Sequence, residues 1–184
     1  MNSFKQYLTE KYSWIYHGDN YGTTKLDPKL MDNGNNEEGI GIYFSDDISV
    51  AESYGKFVSK IPVQKSSLVN SRGLVKKELL PFGIFRLLKY LNEKDNESMY
   101  YLITDWIEIY EPKDITEEHL KTLSHKMGGD EVRNFQITLS QSFGVELFVK
   151  AWNEIFRKIY GTYNKDRGFY CIINTSLKMQ KVNF

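Results

Sequence analysis

Trp14-Ile15-Tyr16-His17-Gly18 and, further along, Gly39-Ile40-Gly41-Ile42-Tyr43-Phe44-Ser45 decide how this chain is read. The first stretch is compact, aromatic and bordered by turn formers, which predicts a short buried strand running into a glycine bend. The second is again strand-like. It opens into DDISVAESYG, where an acidic pair precedes a helical pattern with Ile48, Ala51 and Tyr54 on related faces. Between the two, Asp19 to Gly39 is rich in Asn, Asp and Gly and reads as a loop with one helical turn near Pro28 to Met31. Loops of that length inside a compact domain are commonly functional.

Working outward, residues 56–70 alternate like one or two further strands. The middle of the chain then changes character. Segments 76–92, 98–110, 114–127 and 143–160 carry apolar residues at helical spacing. In the last of them these are Phe143, Leu147, Phe148, Ala151, Trp152, Ile155 and Ile159, with Gly161 as the expected C-cap. Asp114 with Glu117 is the expected capping box of the third helix. From Phe169 onward, FYCIINTSLKMQKVNF returns to β-type residues. Strands at both ends around a helical middle predict an α+β domain whose terminal segments pair in one sheet.

A length of 184 residues fits one domain. Lysine plus arginine and aspartate plus glutamate both total 24, so the net charge is zero. That argues against a global electrostatic grip on nucleic acid or an anionic membrane, and leaves a local basic patch open. With 41% hydrophobic and 26% charged residues, the chain has the material for a core and no charge excess for disorder. Cys171 is the only cysteine, which excludes an intramolecular disulfide and a four-cysteine zinc site. No apolar run reaches membrane-spanning length and MNSFKQYLTEKY lacks the apolar run of a secretory signal, so a soluble intracellular protein is expected. Aromatics reach 15%, with 13 tyrosines and 11 phenylalanines. Such a surplus suits either unusual core packing or planar ligands that stack on rings.

Tyr16-His17-Gly18, Gly41-Ile42-Tyr43-Phe44 and Tyr54, 11 positions after Tyr43, occur together and in this order. On these residues the chain resembles the ADP-ribosyltransferase superfamily, in its His-Tyr-Glu branch of poly(ADP-ribose) polymerase-like and phage-type enzymes. The resemblance rests on about residues 14–70 and 160–184. It implies a split β-sheet core, with 74–160 as a helical insertion, within a single domain over 1–184. It also implies NAD as substrate, no metal, and release of nicotinamide through an oxocarbenium-like state. His17 would hydrogen-bond the adenosine ribose, the backbone of Gly18 would pair with the nicotinamide carboxamide, and Tyr43 and Tyr54 would hold the nicotinamide ring.

Two positions depart from the family pattern. A serine often found three residues before the second tyrosine is Ala51 here, and the family's glutamate, at the head of the last core strand, aligns with Phe169. Asp166 in the preceding loop is the candidate replacement carboxylate, with Glu146 more remote; loop aspartates also commonly serve turns. The expectation is a mono-ADP-ribosyltransferase, a glycosyltransferase by reaction class, acting on a host macromolecule. Protein is the favoured acceptor, a nucleic acid stays open, and no membrane partner is expected. The alternative is a catalytically inactive protein that has lost the glutamate and either binds NAD or ADP-ribose or serves as a virion-internal structural protein. His119 and His125 read as solvated surface positions rather than metal ligands.

MNSFKQYLTE resembles the leader that targets internal proteins to the head of T-even-like bacteriophages. This implies cleavage after Glu10, packaging in the virion and delivery to the host cytoplasm for host modification. A plain N-terminal amphipathic helix, with Phe4, Tyr7 and Leu8 on one face, is the other reading.

Overall fold

A computed structural model describes residues 12–32, 37–109 and 114–183. The decapeptide leader, and the amphipathic segment apart from Tyr12, lie outside these residues. Seven strands are present among them: β1 (Ser13–Asp19), β2 (Ile42–Ser45), β3 (Phe57–Val63), β4 (Leu68–Asn70), β5 (Gly161–Asn164), β6 (Phe169–Ile172) and β7 (Gln180–Lys181). They form one sheet in the order β4-β5-β6-β2-β1-β3-β7, antiparallel throughout except for β4 with β5. The α+β class read from the sequence is the class observed, and the C-terminal strands pair with the N-terminal ones.

Helix α1 (Ile48–Tyr54) follows β2, its first turn capped by the Asp47 carboxylate, which accepts from the Ser49 N–H at 2.8 Å. Between β4 and β5 lie α2 (Val75–Glu78), α3 (Pro81–Lys94), α4 (Asn96–Ile107), α5 (Glu117–Met127), α6 (Val132–Phe143) and α7 (Val145–Ile155). Parallel neighbours need a crossover connection, and this helical layer is the one that joins β4 to β5. Its fully buried Leu87, Leu88, Phe135 and Trp152 belong to the same apolar cluster as Ile15, Phe44 and Ile61 of the sheet. Among the described residues no helix is long and apolar enough to cross a membrane.

Several local expectations are corrected. Helix α5 starts at Glu117, capped by Thr116 rather than by Asp114. The Thr116 hydroxyl accepts from the His119 N–H and His119 Nδ1 accepts from the Thr116 N–H, each at 3.3 Å. His119 therefore closes a capping box, because an imidazole at the third helical position reaches back as a glutamate does. The 143–160 periodicity does not form one helix. Phe143 ends α6, Gly144 takes φ +76°, which a side chain strongly disfavours, and α7 runs only to Ile155. Gly161 is the first residue of β5, not a cap. Helix α6 escaped the sequence reading because its buried face mixes Val132, Phe135 and Leu139 with buried Gln136 and Ser140, which weakens the apolar period.

The sheet has one narrow place. β1 and β3 pair over seven registered residues and β2 and β6 over four, yet β1 and β2 share the single pair Tyr16↔Ser45. Beyond that pair the central strands part.

Trp152, fully buried, packs its ring 4.8 Å from Phe156 and 5.8 Å from Phe148. Trp152→Ala is expected to lower unfolding free energy by about 3–5 kcal/mol, the range for deleting a buried large aromatic. Urea titration followed by far-UV circular dichroism measures it.

Candidate functional site

Where β1 and β2 part, α1 crosses the gap and a cavity of about 550 Å³ opens. That volume suits an organic ligand of nucleotide size. His17, Gly18 and Asp19 enter from β1, Tyr43 and Ser45 from β2, and Ala51 and Tyr54 from α1; Phe169, at the head of β6, closes one side. The structure thus brings His17, Gly18, Tyr43 and Tyr54 around one space, together with the two departures from the family pattern, Ala51 and Phe169. Asp166 is not in the lining. It is exposed in the β5–β6 turn, where its main-chain N–H donates to the Asn164 side chain at 3.1 Å, so the turn-making side chain is that of Asn164. Glu146 is likewise exposed on α7 and away from the lining.

His17 spans the opened ladder. Its Nδ1 lies 2.8 Å from the Tyr43 carbonyl oxygen, and since a carbonyl only accepts, Nδ1 carries the proton. This side-chain bond takes the place of a backbone bond that the parted strands cannot make. The ring also packs on Phe44, with centroids 5.4 Å apart. Nε2 faces the Asp19 carboxylate at 3.4 Å.

Gly18 has a packing reason of its own. A Cβ built there would sit 1.7 Å from the Ala51 carbonyl oxygen, so α1 can lie against β1 only if position 18 has no side chain. The same close approach leaves Ala51 buried.

Three carboxylate residues that the sequence reading did not single out border the cavity: Asp19, Glu38 and the exposed Glu37, which pairs with Arg167 at 2.6 Å. Asp19 accepts from the N–H groups of Tyr21, Gly22 and Thr23 at 2.8, 2.5 and 2.9 Å. Burial pushes its carboxyl up, but the Thr23 side chain and these backbone donors outweigh it and hold the group below the usual range. The signal was present: an aspartate followed by NYGTT is an Asx-type turn. Glu38 is almost fully buried and bonded to Ser71 and Asn164, partners 33 and 126 residues away. Such an arrangement has no local sequence signature.

Tyr43 is half-buried, and its hydroxyl accepts from the Glu38 N–H at 3.0 Å while donating to the Gly39 carbonyl at 3.2 Å. Burial, with Cys171 alongside, raises the phenol far above its ordinary value, so it is a neutral hydroxyl. Burial does the same to the Cys171 thiol, whose Sγ lies 3.3 Å from the Gly39 carbonyl. A protonated buried thiol is not a nucleophile. Tyr54, by contrast, is 65% exposed at the rim. Among the described residues no cluster of three or more His, Cys, Asp or Glu could hold a metal ion.

No protein-family model matches the chain, and no curated protein matches it. A solved structure described as that of an anti-CRISPR protein aligns over 94% of this chain and 96% of its own, at 9% identity and a TM-score of 0.37, a likeness too low to assign a fold.

Gly18→Ala is expected to destabilise the protein by about 1–3 kcal/mol, the usual cost of forcing extra volume into a close-packed contact. α1 should separate from β1, seen as chemical-shift changes confined to residues 14–20 and 46–56. Asp19→Asn is expected to lower stability at neutral pH. The folded Asp19 carboxyl titrates below its unfolded value of about 3.9, so its stabilisation is present above that pH and is lost as pH falls through the folded value. The gap between wild type and variant should therefore shrink below about pH 4 in thermal scans.

Proposed function

We propose that the protein is an NAD-dependent mono-ADP-ribosyltransferase, phage-encoded, that modifies a host macromolecule, with protein the favoured acceptor. The observation that carries the reading is the meeting of His17, Gly18, Tyr43 and Tyr54, which the resemblance picks out in sequence, around one cavity. The narrow β1–β2 junction supports it further. A sheet joined there by the single pair Tyr16↔Ser45 is close to the split core that the resemblance implies.

In this reading the glycosidic bond between ribose C1′ and the nicotinamide nitrogen breaks, and its electron pair neutralises the positive pyridinium. A lone pair of the acceptor then bonds C1′, and the acceptor's proton leaves to solvent. The protein's part is to hold the ring, orient the ribose and stabilise charge at C1′. The neutral Tyr43, its hydroxyl already engaged, offers its ring for stacking, worth about 0.5–1.5 kcal/mol beyond area burial. A ribose hydroxyl would bond Nε2 of His17, the nitrogen that faces the Asp19 carboxylate at 3.4 Å. Ala51 leaves the carboxamide one hydrogen bond short, a loss of about 0.5–1.5 kcal/mol.

Phe169 favours a second reading. A phenyl ring at the head of β6 neither accepts from a ribose hydroxyl nor stabilises an oxocarbenium ion, and Asp166 is not placed to do so instead. A protein that binds NAD without turning it over fits that lining as well. Packaging in the virion belongs to the leader resemblance and is tested by mass spectrometry of particles, where an intact N-terminus or absence from the virion would sink it.

Incubation with NAD labelled in the adenylate moiety and with host lysate separates the readings. The transferase predicts free nicotinamide and label on a macromolecule, both reduced at least about tenfold by His17→Ala or Tyr43→Ala. The binding reading predicts NAD-dependent thermal stabilisation with neither product. Absence of binding, release and transfer would exclude both.

A further inference from the structure

Glu38 is 1% exposed, a position where an uncompensated carboxylate is costly. Its Oε2 accepts from the Ser71 hydroxyl at 2.6 Å, its Oε1 accepts from the Asn164 amide at 2.8 Å, and the Arg72 guanidinium lies 3.7 Å from Oε1. Its backbone oxygen accepts from the Thr162 hydroxyl at 2.6 Å, and its N–H donates to the Tyr43 hydroxyl. The next two residues are held as well. Tyr43 and Cys171 both approach the Gly39 carbonyl, and the Ile40 N–H donates to the buried Gln136 side chain at 3.2 Å. One short segment is thus tied to the loop after β4, to β5, to β6 and to α6, and it bonds the hydroxyl end of the tyrosine that lines the cavity.

We propose that Glu38 is a positioning residue for the cavity, its carboxylate locking residues 38–40 so that Tyr43 is held in the one orientation that presents its ring to a ligand. The ligand part of this inference rests on the reading of the cavity as an NAD site. Glu38 acts through Tyr43 and does no chemistry itself. Its carboxylate points at Ser71, Asn164 and Arg72, while the contact with Tyr43 is made by its own main chain. A charge was not required to make the two side-chain bonds. A glutamine can keep its oxygen on Asn164 and turn its NH₂ toward the Ser71 oxygen, which accepts as well as donates. Alanine makes neither bond.

The test compares wild type with Glu38→Gln, Glu38→Ala and Ser71→Ala. Two readouts are taken without ligand: the amide hydrogen exchange of residues 37–41 and the NMR signals of the Tyr43 ring. A third is the thermal shift produced by NAD. Glu38→Ala is expected to speed exchange at residues 38–40 by about tenfold relative to the core strands, to move the Tyr43 ring signals and to abolish the NAD-induced shift. Glu38→Gln should restore all three. Ser71→Ala, which leaves the Asn164 bond intact, should fall between, and it carries the test should Glu38→Ala not fold. Wild-type exchange and ring signals in Glu38→Ala, or in Ser71→Ala where the former is unfolded, overturn the proposal. So does a uniform rise in exchange across the whole sheet, which is ordinary destabilisation, or a glutamine variant that behaves like alanine. Local exchange that responds as expected, in a protein whose wild type shows no NAD shift, leaves the positioning role standing and refutes the NAD reading alone.

Discussion

The hydrogen bond from His17 Nδ1 to the Tyr43 carbonyl, beside the single ladder pair Tyr16↔Ser45, is the joint on which the molecule turns. On one side β4, β5, β6 and β2 form a continuous ladder; on the other, β1, β3 and β7 form a second. A sheet joined so narrowly in its middle needs support from elsewhere. That support comes from the apolar cluster shared by both halves and the helical layer, and from α1, whose Ala51 carbonyl meets the bare backbone at Gly18. Parting of the strands creates the cavity and leaves backbone groups that an ordinary ladder would have used. The histidine side chain satisfies one of them, which ties the integrity of the sheet to a residue that also faces the cavity.

The polar groups around this space are held in two different ways. Asp19 is gathered by consecutive backbone N–H groups of its own turn, so its anchoring is local and holds its charge. Glu38 is gathered by side chains from distant strands, so its anchoring depends on the assembled fold. Between them stands the neutral phenol of Tyr43, kept so by burial, with the equally neutral Cys171 thiol behind the lining. Fixed hydrogen-bonding groups and uncharged rings thus share the lining with the carboxylate residues Asp19, Glu37 and Glu38.

The strand-bearing parts of the chain were legible because their physics is local. Trp14 to Gly18 and Ile42 to Ser45 combine β-prone residues with turn formers, and Asp47 before Ile48 is a helix start that needs no tertiary context. The helical middle was legible where the apolar period was clean, as in α4. It failed where that period was mixed or broken. The run read over 76–92 is broken at Leu79 and Leu80 into α2 and α3, with Pro81 starting the second helix. Helix α6 buries Gln136 and Ser140 in its inner face, and Gly144 interrupts what reads as one continuous helix. The Asp114 cap failed for a related reason, since a threonine two residues on made the same bonds with a histidine as its partner.

By itself the sequence determined the class of the fold and its main strands, properties of residue type and spacing that short-range sterics and hydrophobic periodicity translate directly into local structure. His17, Gly18, Tyr43 and Tyr54 are grouped by the family resemblance, not by periodicity. Only the tertiary structure decided which carboxylates border the cavity. Asp166, close in sequence to the expected strand, lies exposed in a hairpin, while Asp19, Glu37 and Glu38 took places at the lining. For Glu38, burial and long-range hydrogen bonding choose the position, because a buried charge persists only where donors converge on it, and the spacing of residues along a chain does not encode that convergence. For Asp19 the donors are local, and what the fold decided is that its turn borders the cavity.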